Sequence, residues 1–270
     1  MSSQLKLFDD AGYVNEELNE VNISEGEDLE GLKRVKEVSQ RFLVVNNFDI
    51  GKEPKIENLS DDQFIDYIET NNDSIIATKL SEVKLEISFR SLMTNYYTHK
   101  EDETKKILVF FLPDDKSSKS IGNPEFKKFI TLIFKLDCKE ALLISNKDLS
   151  PKSKEQVRQC NINPAGCNNI YNIITYKDSN FIDITKHGFI PEVMKIYRNG
   201  APETEKLIRD SMISPNNLPR MLITDPLNKF YRGQPGDIFQ IRRKNIIKGV
   251  LLKEQIIFRI VVSSNIKKEK

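Results

Sequence analysis

Residues 218–241 read LPRMLITDPLNKFYRGQPGDIFQI, and they decide how the C-terminal part of the chain is built. Pro219 fixes the backbone that enters a strand candidate at 221–224. Arg220 therefore leaves at a set angle and offers its planar guanidinium to a carboxylate or carbonyl. Asp225 before Pro226 predicts a helix start, with a side chain that accepts a backbone N–H and then a proline where no donor is needed. Gly236, after Pro235, supplies a turn conformation that other residues resist. A strand is expected at 238–242, followed by two more at 250–252 and 256–262. Ile238, Ile241, Phe258, Ile260 and Val262 are assigned to the core. With one short helix at 202–212, this is a small α+β module.

Upstream, residues 29–178 alternate helix and strand patterns, which predicts a mixed α/β domain. Leu32, Val35, Val38, Phe42 and Val45 recur at the spacing of one helix face, until Asn46, Asn47 and Gly51 break it. Ser60 with Gln63 three residues on matches a capping box and opens a second helix. Val83, Leu85, Ile87 and Phe89 alternate with polar residues and read as a half-buried strand. Residues 98–106 read as a charged loop, and the apolar run 107–112 as a strand covered on both faces. Asn123 and Pro124 predict a capped helix with Phe126, Phe129, Ile130 and Ile133 on its apolar side. A strand is expected at 141–144, a helix from Ser150 and Pro151, and extended segments at 170–176 and 181–184. The layout is an extension, residues 1–28, a mixed α/β domain, 29–179, and the C-terminal module, 180–270.

The net charge of +1 hides a polar layout. Residues 1–30 hold nine acids and one base, Lys6, whereas residues 195–270 hold sixteen bases and seven acids. The first segment has too little apolar surface to offset the entropy of ordering, so a mobile extension is expected. The second suits nucleic acid or an acidic partner, and charge alone does not choose. No apolar run approaches the roughly 20 residues of a spanning helix, and the opening MSSQLKLFDD lacks a signal-peptide pattern. The expectation is no membrane, with the chain staying where it is made.

Chemistry is sparse. Cys138, Cys160 and Cys167 form no CxxC pair and lie far from His99 and His187, so free thiols and no metal are expected. Neither histidine stands in a nucleophile-elbow context, and no glycine-rich phosphate loop is present, so no catalytic residue and no cofactor is assigned. One string resembles a metal-dependent nuclease: Pro113-Asp114, then Glu125-Phe126-Lys127. Such enzymes hold Mg²⁺ between the two carboxylates while the lysine helps activate water. Here the second part begins a predicted helix, which aims it differently from the strand those enzymes use.

An ordered series of motifs runs through the C-terminal module. It comprises Ile184-Thr185-Lys186-His187-Gly188-Phe189-Ile190-Pro191, then Leu218-Pro219-Arg220-Met221, Asp225-Pro226, Gly236-Asp237-Ile238-Phe239-Gln240-Ile241, and Phe258-Arg259-Ile260-Val261. The series resembles the assembly domain of the fifth subunit common to eukaryotic RNA polymerases I, II and III, a family that includes the archaeal equivalent. The upstream element order is similar to that family's jaw domain, whose topology is akin to the nuclease superfamily. The resemblance implies an α/β N-terminal jaw domain of nuclease-like topology plus a small α+β assembly domain. It implies a non-catalytic polymerase subunit whose module docks on the largest subunit. His187, Pro191, Leu218, Pro219, Arg220, Asp225, Pro226, Gly236, Arg242 and Arg259 are then the assembly residues. Ser150, Pro151, Lys152 and Lys154 match the family's DNA-proximal turn, near downstream duplex DNA.

Departures are visible. Arg232 stands where the family has glycine, and residues 245–249 replace a family turn and lengthen the hairpin. Asn, Ile and Lys usage suits an AT-rich genome, so a large DNA virus is as good a source as a cell. Nucleus, or else host cytoplasm or virion, follows from that choice. A nuclease, or a free-standing DNA-binding regulator on the same fold, are the alternative readings.

Overall fold

The computed structural model describes residues 28–51, 53–70, 74–85, 87–113, 120–161, 171–186, 190–212, 214–247 and 250–263. They fall into two compact units, Met1–Ile182 and Asp183–Lys270.

In the first unit, α1 (Leu29–Val45) starts on Asp28, whose carboxylate accepts the Gly31 N–H at 3.0 Å. Asp28, expected in the extension, is thus the helix cap. Leu32, Val35, Val38 and Phe42 bury the apolar stripe. Helix α2 (Asp61–Thr70) opens on the expected box: Ser60 accepts from the Gln63 N–H, and the Gln63 side chain accepts from the Ser60 N–H. After α3 (Ser74–Glu82) and α4 (Phe89–Leu92) come β1 (Asn95–His99), β2 (Asp102–Phe111), α5 (Asn123–Lys135), β3 (Glu140–Ser145), α6 (Pro151–Asn161) and β4 (Asn172–Lys177).

The sheet order is β1-β2-β3-β4. The hairpin β1-β2 is antiparallel, whereas β2-β3 and β3-β4 are parallel pairs. Parallel neighbours need long crossovers, and α5 and α6 are those crossovers. Phe126, Phe129, Leu132 and Ile133 of α5 pack in one cluster with Leu108, Phe110, Ala141 and Leu143 of the strands. Ile107, Val109 and Phe111 are buried too, so this part of β2 is covered on both faces.

Four local expectations fail here. The described residues of 83–89 are not a strand. Lys84 turns the chain at φ 55, and Ser88 caps α4 through a box with Ser91. Val83, Leu85 and Phe89 are buried as loop and helix-start anchors, which mimics alternation. Residues 98–106 are not a loop but the turn and outer half of the β1-β2 hairpin, exposed and therefore charged. Asn123 does not cap α5. Gly122 is the cap residue, without a side-chain bond, and Asn123 Oδ1 is buried with no partner. Residues 181–184 join no strand; they follow a 3-10 turn, Asp178–Asn180.

The second unit runs β5 (Glu192–Tyr197), α7 (Pro202–Ser211), β6 (Arg220–Leu222), α8 (Pro226–Phe230), β7 (Ile238–Ile247) and β8 (Val250–Val262). Its sheet order is β5-β7-β8-β6, with β6 parallel to β8 and the other pairs antiparallel. The two strands expected at 250–252 and 256–262 are one, paired along its length with β7. Met221, Phe239, Ile241 and Val261 form the core on one face, with Ile257 packed against them. Phe258, Ile260 and Val262, expected in that core, are not part of it. They alternate with Ile257 and Val261, so they point to the other face and are only half-buried. No helix among the described residues is long and apolar enough to cross a membrane.

Candidate functional site

The residues expected for assembly gather around β6, α8 and the β7-β8 pair. Pro219 contributes its carbonyl, which accepts the Ile260 N–H at 3.0 Å and so starts the β6-β8 ladder. Arg220 is exposed, and Leu222 beside it is 51% exposed. Asp225 caps α8, its carboxylate accepting the Leu227 N–H at 2.9 Å ahead of Pro226. Gly236 has φ +93, and a Cβ there would lie 2.5 Å from Asn199 Nδ2, so both backbone and space require glycine.

Arg242 is already engaged, pairing with Glu192 across the sheet at 3.3 Å. Leu218 and Pro191 are half-buried, Pro191 just ahead of β5. His187 lies outside the described residues. Arg259 is half-buried, and its Nε is buried without a hydrogen-bond partner. Arg220 and Arg259 lie on adjacent strands, since Arg220 is in register with Ile260. They lie on opposite faces of the sheet by alternation.

At the start of α6, the Ser150 hydroxyl accepts the Ser153 N–H at 3.2 Å, and Ser153 Oγ donates to the Ile121 carbonyl at 3.1 Å. Pro151 has no N–H, and the Lys154 N–H bonds to the Ser150 carbonyl. The backbone donors of this turn are therefore mostly used. An anion would meet chiefly the ammonium groups of Lys152 and Lys154, both exposed and without an ion pair among the described residues.

The nuclease-like string is not assembled on a strand. Glu125 and Lys127 lie in the first turns of α5, and Asp114 is outside the described residues. The Glu125 carboxylate folds back toward Gly122, where a Cβ would lie 2.8 Å from Oε2, a position that suits the helix dipole. Cys138 is a buried free thiol, pushed up to about 11 by burial, and Cys160 is free as well. Cys167 is outside the described residues.

Sequence reasoning missed several charged residues inside the fold. Arg90 grips Asp178 with both terminal nitrogens at 2.8 and 2.7 Å, and donates Nε to the Leu112 carbonyl at 2.8 Å. Arg34 bonds the carbonyls of Asp178 and Phe181, at 3.0 and 3.4 Å, so two arginines hold one turn. Lys36 is buried against Tyr97 and Phe111 and donates to Tyr97 Oη at 3.1 Å; Tyr97 in turn donates to Glu53 at 2.8 Å. Burial lowers the Lys36 ammonium below its usual range, and Glu53 partly opposes that shift. In the second unit, buried Asp237 accepts from Arg198, at 2.8 Å, and from the N–H groups of Asn199 and Gln234. The only local signal for such residues is a charge set among apolar neighbours, as Arg90 is beside Phe89 and Leu92.

Comparison with known proteins identifies the second unit. The family described as RNA polymerase Rpb5, C-terminal domain, matches residues 182–261. The subunit Rpo5 of DNA-directed RNA polymerase from Sulfurisphaera tokodaii is 33% identical over 84 residues, covering 30% of this chain and 89% of the relative. Rpo5 of Metallosphaera sedula is 34% identical over 84 residues, 30% of this chain and 90% of the relative. Rpo5 of Sulfolobus acidocaldarius is 32% identical over the same length and 89% of its own chain. Nearly the whole of each relative is therefore reproduced in a unit built on β5 to β8. Through that C-terminal domain, the chain belongs to the Rpb5/Rpo5 family of DNA-directed RNA polymerase subunits.

Proposed function

We propose that this chain is a non-catalytic polymerase subunit whose C-terminal module docks on the largest subunit, while residues 29–179 form a jaw beside downstream DNA. One observation carries the docking. The second sheet packs a core on one face and leaves Leu222 and Ile256, each 51% exposed, with half-buried Phe258 and Ile260 on the other. Apolar side chains grouped on one sheet face and rimmed by arginine suit a subunit interface. Affinity purification of the tagged full chain from its native setting, at moderate salt, tests the reading. Stoichiometric recovery of both large subunits supports it; recovery of the chain alone, with DNA affinity of its own, would favour a free-standing regulator.

The jaw reading assigns the Ser150, Pro151, Lys152 and Lys154 turn to duplex DNA. Its contacts are electrostatic, so they are sequence-independent and salt-sensitive. Lys152→Glu with Lys154→Glu in the reconstituted polymerase should reduce downstream-DNA crosslinking and lower the salt tolerance of elongation complexes. Unchanged crosslinking would reject the contact. The compartment follows from the polymerase joined: nucleus for a cellular enzyme, host cytoplasm or virion for one from a large DNA virus.

A further inference from the structure

The sheet of the second unit stops short on one side. Strand β8 runs Val250–Val262, yet β6 pairs only with Ile260, Val261 and Val262. A residue in a strand sends its N–H and C=O to the same side, and successive residues alternate. The Ile260 N–H reaches Pro219 and the Val262 carbonyl accepts from Ile223, so the even-numbered residues face the β6 side. The Val261 N–H goes instead to Asp237, beside β7. By this parity Glu254, Ile256 and Phe258 aim their backbone groups past the end of β6. Among the described residues no strand pairs with them there.

Three further observations bear on what would fill the position. Ile256 and Phe258 offer apolar side chains on one face of this edge, Ile256 being 51% exposed. Arg259 stands on the other face, at the end of the edge, with its Nε buried and without an acceptor. A buried guanidinium nitrogen without a partner is costly, and a carboxylate is its natural complement. Charge agrees, since residues 242–259 carry Arg242, Arg243, Lys244, Lys248, Lys253 and Arg259 against one acid, Glu254. Sheets usually blunt an open edge with a bulge or a charge. The register break between Asn245 and Ile246 disrupts the outer hairpin but leaves 254–258 regular.

We infer that the Glu254–Phe258 edge of β8 receives an extended segment of a partner polypeptide as an added strand, with a carboxylate of that segment paired to Arg259. The inference rests on the polymerase-subunit reading, because it names how the module docks. Backbone ladder bonds supply affinity in such strand addition, and alternate side chains supply selection. Here the selected pattern is apolar toward Ile256 and Phe258, and acidic toward Arg259.

The test is residue-resolved hydrogen exchange on the full chain, free and in the purified polymerase. In the free chain the amides of Glu254, Ile256 and Phe258 should exchange fast, while those of Gln255, Ile257 and Arg259, facing β7, stay protected. In the polymerase the first three should slow by at least about tenfold, as ladder amides do. As a second arm, Ile256→Pro removes a donor on the open side, a position where an edge strand tolerates the ring. Together with Arg259→Ala it should weaken retention in reconstituted polymerase roughly tenfold or more, while the unfolding temperature of the free chain changes little.

Stoichiometric recovery with the large subunits, but unchanged exchange at the three amides, overturns the strand addition and leaves the subunit reading standing. Failure to recover any polymerase subunit overturns both. Protection that appears in the free chain and rises with its concentration assigns the edge to a second copy instead, and also overturns the inference.

Discussion

The two units treat their charges and their sheets differently. In the first, α5 and a buried cluster cover one face of a mostly parallel sheet, and Ile107, Val109 and Phe111 are buried on the other. Its embedded cations are partnered inside the unit, Arg90 by Asp178 and Lys36 by Tyr97. In the second, one face of the sheet is core and the other keeps Leu222 and Ile256 half in solvent. Its Arg259 has a buried Nε with no acceptor. The first unit pairs its buried cations internally, although Asn123 Oδ1 stays buried without a partner. The second leaves a guanidinium nitrogen and an apolar sheet face unmatched, the features on which the proposed docking rests.

The contrast is broken or sharpened by substitutions. Arg90→Ala should have the largest effect, about 3–5 kcal/mol of destabilisation in denaturant melts, because Asp178 would lose its bidentate partner in a largely buried place. A loss below about 1 kcal/mol would make the clamp a surface ornament and blur the distinction. Phe239→Ala in the second core should follow, at about 3–4 kcal/mol, since the ring is fully buried. Asp225→Ala should cost about 1 kcal/mol through the lost cap of α8. Leu222→Ser with Ile256→Ser should stay within about 0.5 kcal/mol in the free chain yet weaken recovery of the polymerase. Equal damage to free stability would mean that this face is core after all.

A pH dependence tests the same unit in a different way. Burial pulls Lys229 down from 10.5 to about 8 in the folded chain. Below that value the folded state carries the full penalty of a charged, desolvated ammonium. As pH rises from about 8 toward 10.5, the unfolded chain binds more protons than the folded one, so stability should rise. Lys229→Met should flatten that rise, measured as unfolding temperature across the window. An unchanged slope would show that the lysine is solvated.

Much of the first unit was legible because its cues are local. The Ser60–Gln63 box, the proline at the start of α5 and the apolar run of β2 each act within a few residues. What failed was the reading of exposure as conformation. The outer half of the β1-β2 hairpin is charged because it is exposed, not because it is a loop. Strand β5 escaped because Glu192–Tyr197 is an edge strand with a register break and no fully buried side chain. The partners Arg90 and Asp178 lie 88 residues apart, and no spacing rule joins them. In the second unit the ordered motifs located Pro219, Asp225 and Gly236, whose jobs inside the fold are to start a ladder, cap a helix and make a turn. Assignment of Arg259 came from resemblance; its missing acceptor became visible only once β8 was in place.

The open edge of β8 also bears on how the cell must handle this protein. A strand with free ladder groups and apolar side chains is a template for any extended chain, including other newly made copies. Copies left uncovered along this edge would carry that template until bound or destroyed. Dosage then matters as much as sequence: balanced synthesis yields a quiet component, whereas overproduction yields clients for chaperones and proteases. The edge proposed as a docking site is thus also a liability in a chain that stands alone.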